Sequence, residues 1–191
     1  MSDDNRAELE DYLGRGLRLE DQGAFEEALA LYAQARERFP QDPRPPHRMG
    51  VMCIRLGRRE EARALFEAAL AQAREYAPAL TNLGNMALEA GDVEQAVQLY
   101  RRAIVSSPDY PGAHHNLAVA LRRLGRLAEA VSEQRTAARL ERTYGREMDR
   151  LRLRAARRAR GGGGPGCLGG GAAAALVLTA GAVALARLHL G

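Results

Sequence analysis

The sequence predicts an all-α fold, a row of helical hairpins in which each hairpin packs on the next. Three observations predict it. A glycine recurs every 34 residues, as Gly23, Gly57, Gly91 and Gly125, and each stands between two runs whose apolar residues fall three or four apart. Small residues recur at fixed places in the second run, as Ala28, Ala62, Ala96 and Ala130, then as Ala35, Ala69, Ala103 and Ala137. Aromatic residues make up only 5% of the chain and Trp is absent, so alanine-rich contact between helices must replace a bulky core. One such hairpin cannot bury its own apolar face, and consecutive units must stack to do so.

The clearest unit runs from Ala77 to Pro108. Leu80, Leu83, Gly84 and Ala87 form the stripe of its first helix, and Gly91-Asp92 makes the turn. Val93, Ala96, Tyr100 and Ala103 form the stripe of the second, which Pro108 stops. Gly84 and Ala96 let the two helices approach, while Leu83 and Tyr100 fill the space beside them. Copies in the same phase start at Leu9, Pro43 and Pro111. The large residue between the two alanines is Tyr32, Phe66 and Tyr100, but Gln134 in the last copy. The close-packing residue of the first helix is Gly16, Gly50, Gly84 and Ala118. The closing proline is Pro40 and Pro108, replaced elsewhere by Arg74 and Arg142. This pattern resembles the tetratricopeptide repeat (TPR) family over residues 9–142. The resemblance implies a right-handed α-solenoid of TPR helix hairpins. To it the sequence adds a C-terminal capping helix and a separate C-terminal hydrophobic helix.

In chain order, residues 1–8 read as a flexible lead, followed by repeats 9–42, 43–76, 77–110 and 111–142. The first helix is expected from about Ala7 to Gln22, with Leu13 and Leu17 where polar residues are common. The proline-rich stretch from Gln41 to Pro46 is expected to delay the next helix. The helix starting at Arg58 lacks a closing proline and is expected to run a turn longer, to about Tyr76. Nothing stops the last helix after Leu140. Leu140, Tyr144, Met148 and Leu151 continue an apolar stripe, so residues 143–160 are expected to cap the exposed face of the fourth repeat. Residues 161–171 form a Gly-rich linker. Residues 172–190 read as a transmembrane helix. The uncharged residues from Gly166 to Ala186 number 21, which as a helix would rise ~31 Å, about one bilayer core.

Charge is unevenly placed. Residues 1–140 carry 19 Arg against 21 acids, while residues 141–191 carry 9 Arg against 3. All 28 basic residues are Arg, so lysine chemistry (a Schiff base, a phosphate-loop Lys, a Lys general base) is excluded. Arg150, Arg152, Arg154, Arg157, Arg158 and Arg160 stand just before the uncharged run, where the positive-inside rule places a cytoplasmic flank. Cys53 and Cys167 lie 114 positions apart and suggest neither a disulfide framework nor a metal site. His114 and His115 are adjacent, so on a helix they point about 100° apart and do not chelate. Glu26-Glu27 and Glu60-Glu61 fall at helix starts and serve the dipole. No catalytic constellation, cofactor motif or metal-ligand set emerges, which points to a non-enzyme with no small-molecule substrate.

The family resemblance implies that first helices line a concave groove where a partner peptide or helix binds. Asparagines at the sixth position of the repeat would hydrogen-bond a peptide backbone, and Asn82 and Asn116 match that position, whereas Gly14 and Arg48 do not. Around them stand His47, Arg55, Asn85, Glu89, His115, Arg122 and Arg123, a polar lining with a basic bias. The Lys/Asn/Arg set that clamps a chaperone's terminal carboxylate in some members is incomplete, because Leu13 and Leu17 occupy its first positions. The expected function is a protein-interaction scaffold, tethered to a membrane by residues 172–190 with its repeats in the cytoplasm. Two alternatives remain at this stage. One is a soluble cytoplasmic adaptor with an inert tail. The other is non-specific binding of anionic surfaces or nucleic acid by Arg150–Arg160.

Overall fold

The computed structural model describes residues 3–161, which contain eight α-helices and no strand. The helices are α1 (Asp3–Asp21), α2 (Phe25–Arg38), α3 (Arg44–Arg55), α4 (Arg59–Gln72), α5 (Ala77–Ala90), α6 (Val93–Ser106), α7 (Pro111–Arg123) and α8 (Leu127–Gly161). The chain divides into two compact units, Met1–Ala137 and Ala138–Gly191. The first holds the repeat hairpins as far as Ala137.

Each hairpin turns at its glycine. Gly91 has φ +91°, the left-handed conformation that costs a side-chain-bearing residue about 1–2 kcal/mol. Its turn is closed by two backbone bonds, Gly91 N to Leu88 O at 3.3 Å and Asp92 N to Ala87 O at 2.9 Å, which satisfy the last carbonyls of α5. The turns at Gly23, Gly57 and Gly125 repeat this arrangement with φ of 76°, 77° and 71°.

The glycines of the first helices serve another purpose. A Cβ on Gly50 would lie 2.6 Å from Phe66 Cε1, and one on Gly84 would lie 2.5 Å from Tyr100 Cε1. Gly16 stands in the same relation to Tyr32. Each aromatic ring of a second helix thus lies flush on its partner backbone and is fully buried. Between repeats, the second helix of one unit covers the first helix of the next. Ala28, Tyr32 and Ala35 pack with Met52; Leu65, Phe66 and Ala69 with Leu83 and Met86; Val97 and Tyr100 with Leu117, Ala120 and Leu121. In α1 the matching positions are Arg15, Arg18 and Gln22. They line a cleft of about 550 Å³ between α1 and α2, so this face of the first repeat is polar where its later counterparts are apolar.

A ladder of exposed ion pairs also runs along the array, Arg38–Glu8 within the first hairpin and Arg44–Glu10, Arg58–Glu26, Arg59–Glu89, Arg101–Glu129 and Arg102–Glu75 between repeats. Every cation in it is arginine.

Three expectations are corrected. Helix α1 begins at Asp3, so residues 3–8 are helical rather than a loose lead. Asp3 and Asp4 favour the helix N-terminus, and Glu8 and Glu10 are held by Arg38 and Arg44. The proline run does not delay α3. Pro43 is its N-cap, and Pro45 and Pro46 are buried in its first turn, where no intrahelical N–H bond is lost. Helix α4 does not run on to Tyr76; it ends at Gln72, and Ala73 turns to extended backbone. Tyr76 instead caps α5 and packs edge-on against the His47 ring at 5.4 Å. Residues 143–160 continue in the same helix as the fourth repeat, Gly145 notwithstanding. The expected hydrophobic helix at 172–190, and the linker apart from Gly161, lie outside the described residues.

Candidate functional site

The sequence-predicted groove residues all sit on first helices: Arg48 and Arg55 on α3, Asn82 and Asn85 on α5, and His115, Asn116, Arg122 and Arg123 on α7. Successive first helices stack, α5 directly against α7, and this brings the asparagines together. Asn85 Oδ1 accepts from both Tyr100 Oη and Asn116 Nδ2, each at 2.8 Å. Asn82 Nδ2 lies 2.9 Å from His47 Nε2. An amide NH₂ can only donate, so Nε2 is the accepting nitrogen and His47 is the neutral tautomer protonated at Nδ1.

His47 is therefore a packed residue rather than a groove-lining one. It is 8% exposed and lies against Phe66 and Tyr76, and burial, with Arg48 beside it, pulls its pKa down to about 3. Asn82 and Asn116 each direct their NH₂ inward and Asn85 accepts two bonds, which leaves the carbonyl oxygens of Asn82 and Asn116 and the NH₂ of Asn85 without a described partner.

The arginines divide by environment. Arg48 is half-buried, with Nη1 3.7 Å from Glu20 Oε2 on α1. Glu20 also accepts from Tyr32 Oη at 2.6 Å, and burial together with that carboxylate raises the Tyr32 pKa strongly. Arg123 Nη1 donates to the Leu88 carbonyl at 2.9 Å, tying α7 to the end of α5. Arg122 Nη2 donates to Gln134 Oε1 at 3.0 Å, and Gln134 Nε2 is 3.5 Å from His115 Nδ1. Arg55 is exposed and makes no ion pair among the described residues.

The acids are segregated from this face. Helices α3, α5 and α7 carry five arginines against a single carboxylate, Glu89, which Arg59 of α4 already engages. Arg150, Arg152, Arg154, Arg157, Arg158 and Arg160, expected from the sequence to flank a membrane, lie within α8. No described helix is long and apolar enough to cross a membrane.

Sequence reasoning missed the hydroxyls of Tyr32 and Tyr100. Each ring crosses its glycine and delivers its hydroxyl to a polar residue of the first helix, Glu20 or Asn85. The signal was present in the choice of Tyr over Phe at that position of the repeat. Tyr76 and Tyr110 were missed as well. Both precede a first helix 34 residues apart, and both are packed near Arg48, with burial raising their pKa and Arg48 opposing it.

Such stacked hairpins, with a glycine–aromatic contact in the first three units, define a helical-repeat interaction protein. The chain belongs to the tetratricopeptide repeat family, whose profiles match residues 12–44, 54–111 and 87–156. Solved structures share the fold. PilF of Pseudomonas aeruginosa aligns with TM-score 0.64 and 22% identity over 72% of this chain and 63% of its own. MamA aligns with TM-score 0.58 and 20% identity over 72% of this chain and 81% of its own. The first TPR domain of Spaghetti (RPAP3), bound to the HSP90 peptide SRMEEVD, aligns with TM-score 0.54 and 22% identity over 61% of this chain and 93% of its own. A search of curated proteins finds no match.

Proposed function

We propose that the chain is a non-catalytic scaffold whose first-helix face, from α3 to α7, binds an extended acidic segment of a partner protein. One observation carries this reading, the separation of charge between helices. Arg48, Arg55, Arg122 and Arg123 occupy a face whose single carboxylate is already paired; Glu20 of α1 engages Arg48, while Arg55 makes no ion pair among the described residues and can meet an incoming Asp or Glu side chain. The free oxygens of Asn82 and Asn116 would accept from the segment's backbone N–H groups, and Asn85 would position Asn116. The Spaghetti domain, which shares this fold, holds a peptide with three acidic residues.

The test is fluorescence anisotropy of a library of acidic and charge-neutral peptides with the full chain. Acidic peptides should bind with strong salt dependence. Arg55→Glu with Arg122→Glu should weaken them at least tenfold while helicity stays unchanged. Binding indifferent to both salt and charge reversal removes the reading.

A membrane tether is the finer part of the proposal. It is favoured by the uncharged run beginning at Gly161 that directly follows Arg150–Arg160. The full chain should remain with membranes through an alkaline wash and leave only with detergent, while a chain ending at Arg160 should not. Release of both in the wash removes the tether and leaves the groove reading standing.

A further inference from the structure

From the second repeat onward, the side chain at the sixth position is engaged by the preceding first helix. Asn116 bonds to Asn85, Asn82 bonds to His47, and Arg48 pairs with Glu20. The first two contacts are neutral hydrogen bonds, and the third is made of charges. The sequence sets it apart as well. Arg48 stands where the next two repeats have Asn82 and Asn116, and Glu20 stands where the later repeats have Ile54, Leu88 and Arg122. A base and an acid thus enter together at one junction of the groove.

The pair is loosely made. Arg48 Nη1 is 3.7 Å from Glu20 Oε2, beyond the roughly 2.7–2.9 Å of a charge-assisted hydrogen bond. Arg44, one turn earlier on α3, shows the contrast. Its Nε and Nη2 each donate to Asp42 at 2.9 Å, and its Nη1 donates to Glu10 at 2.6 Å. Arg44 is locked in place. The Arg48 guanidinium makes no hydrogen bond among the described residues, and its side chain is 35% exposed.

Glu20 is anchored by a different partner. Its Oε1 accepts from Tyr32 Oη at 2.6 Å, and its side chain keeps some solvent contact. If Arg48 turns away, the Tyr32 bond still holds the carboxylate, so no uncompensated buried charge is created. A carboxylate arriving at Arg48 therefore exchanges one acid for another, and Glu20 is the competitor it must displace.

We propose that Glu20 is an internal stand-in for a partner's carboxylate. It occupies Arg48 in the free chain, and an acidic side chain bound in the groove takes Arg48 over, leaving Glu20 on Tyr32. This rests on the acidic-segment reading above and adds a threshold to it. Arg55 is open from the start, whereas Arg48 is surrendered only to an acid that outcompetes Glu20.

The experiment measures binding of a fluorescein-labelled hexaglutamate peptide to the full chain by anisotropy. Glu20→Gln is the central variant, because the amide oxygen still accepts from Tyr32 while the charge that holds Arg48 is gone. It should tighten binding about threefold, the scale of a partly exposed ion pair. Asp21→Asn is the control. It removes an exposed acid at the adjacent position, which has no ion pair with Arg48, and should shift affinity by less than about 1.5-fold. Arg48→Gln should weaken binding at least about threefold, and adding Glu20→Gln to it should bring no more than the gain of the control. Equal gains from Glu20→Gln and Asp21→Asn would show that net charge alone acts, and they overturn the proposal. Unchanged affinity in Arg48→Gln overturns it too. Binding that is weakened by Arg55→Glu with Arg122→Glu yet indifferent to Glu20 and Arg48 overturns this inference alone. Absence of binding in every variant overturns the groove reading along with it. Circular dichroism on each variant shows that the repeats remain folded.

Discussion

The third and fourth repeats occupy the same frame with opposite chemistry. In the third, Gly84 lies under the Tyr100 ring and Leu80 packs with Leu99. In the fourth, Ala118 faces a position held by Gln134, and the Leu80–Leu99 pair becomes His114–Glu133, with Nδ1 2.6 Å from Oε2. His114 Nε2 lies 3.0 Å from the Pro108 carbonyl oxygen, which can only accept, so that nitrogen donates. The two ring nitrogens of His114 are thus both engaged, one by Glu133 and one by the Pro108 carbonyl. Each change is matched by its partner: the aromatic ring departs where the glycine gains a methyl, and a leucine pair is replaced by a hydrogen-bonded pair. A hairpin of fixed geometry can thus be held by apolar contact or by hydrogen bonds, provided both members change together.

Four measurements would break or sharpen this comparison. Tyr100→Ala should cost about 3–5 kcal/mol in denaturant unfolding, whereas Gln134→Ala should cost about 1 kcal/mol. Equal losses would show that the two repeats are packed alike after all.

The second measurement concerns His47, the buried imidazole of the second repeat. His47 is neutral and its folded pKa of about 3 lies below the unfolded value, so its contribution is complete above about pH 6.5 and is lost as pH falls toward 3. Between pH 7 and pH 5 that loss should be on the order of 2 kcal/mol. In His47→Leu the same acidification should cost clearly less, as thermal melts at the two pH values would show.

Third, Gly84→Ala should destabilise by about 1–3 kcal/mol, because its methyl has nowhere to go beneath Tyr100. Ala118→Gly should cost about 1 kcal/mol for a different reason, backbone entropy. Repeating the first change in a Tyr100→Gln background should erase most of its cost; persistence would locate the strain elsewhere.

The smallest effect belongs to His114→Leu with Glu133→Leu, which restores the third-repeat pair. It should be neutral or stabilise by about 1 kcal/mol, while either single change should destabilise by about 1–3 kcal/mol. Two additive losses would contradict a compensated pair.

Much of this architecture was legible in the sequence because it depends on small residues. Gly23, Gly57, Gly91 and Gly125 mark turns, and Gly16, Gly50 and Gly84 mark close approach, for reasons that belong to one position at a time. What was not legible depends on pairs. Asn82 was read from its position as a groove residue, yet its NH₂ is directed to His47, 35 residues away. The extension of α4 was inferred from a missing proline, but Tyr76, drawn to the His47 ring, accompanies an end at Gln72. Prolines 45 and 46 were read as breakers, although a first helical turn has no N–H bond for them to break. Residues 172–190, which the tether requires, lie outside the described structure.

The arginine-only ladder along the array has a consequence for regulation. Guanidinium groups stay charged at every biological pH, and amine-directed acylation, which would neutralise a lysine ladder, has no side-chain target in this chain. Enzymes that tune other surfaces by acetylating lysine cannot soften these junctions. Charge control of the array is left to modifications that add negative charge, and to salt, which screens all six exposed pairs together.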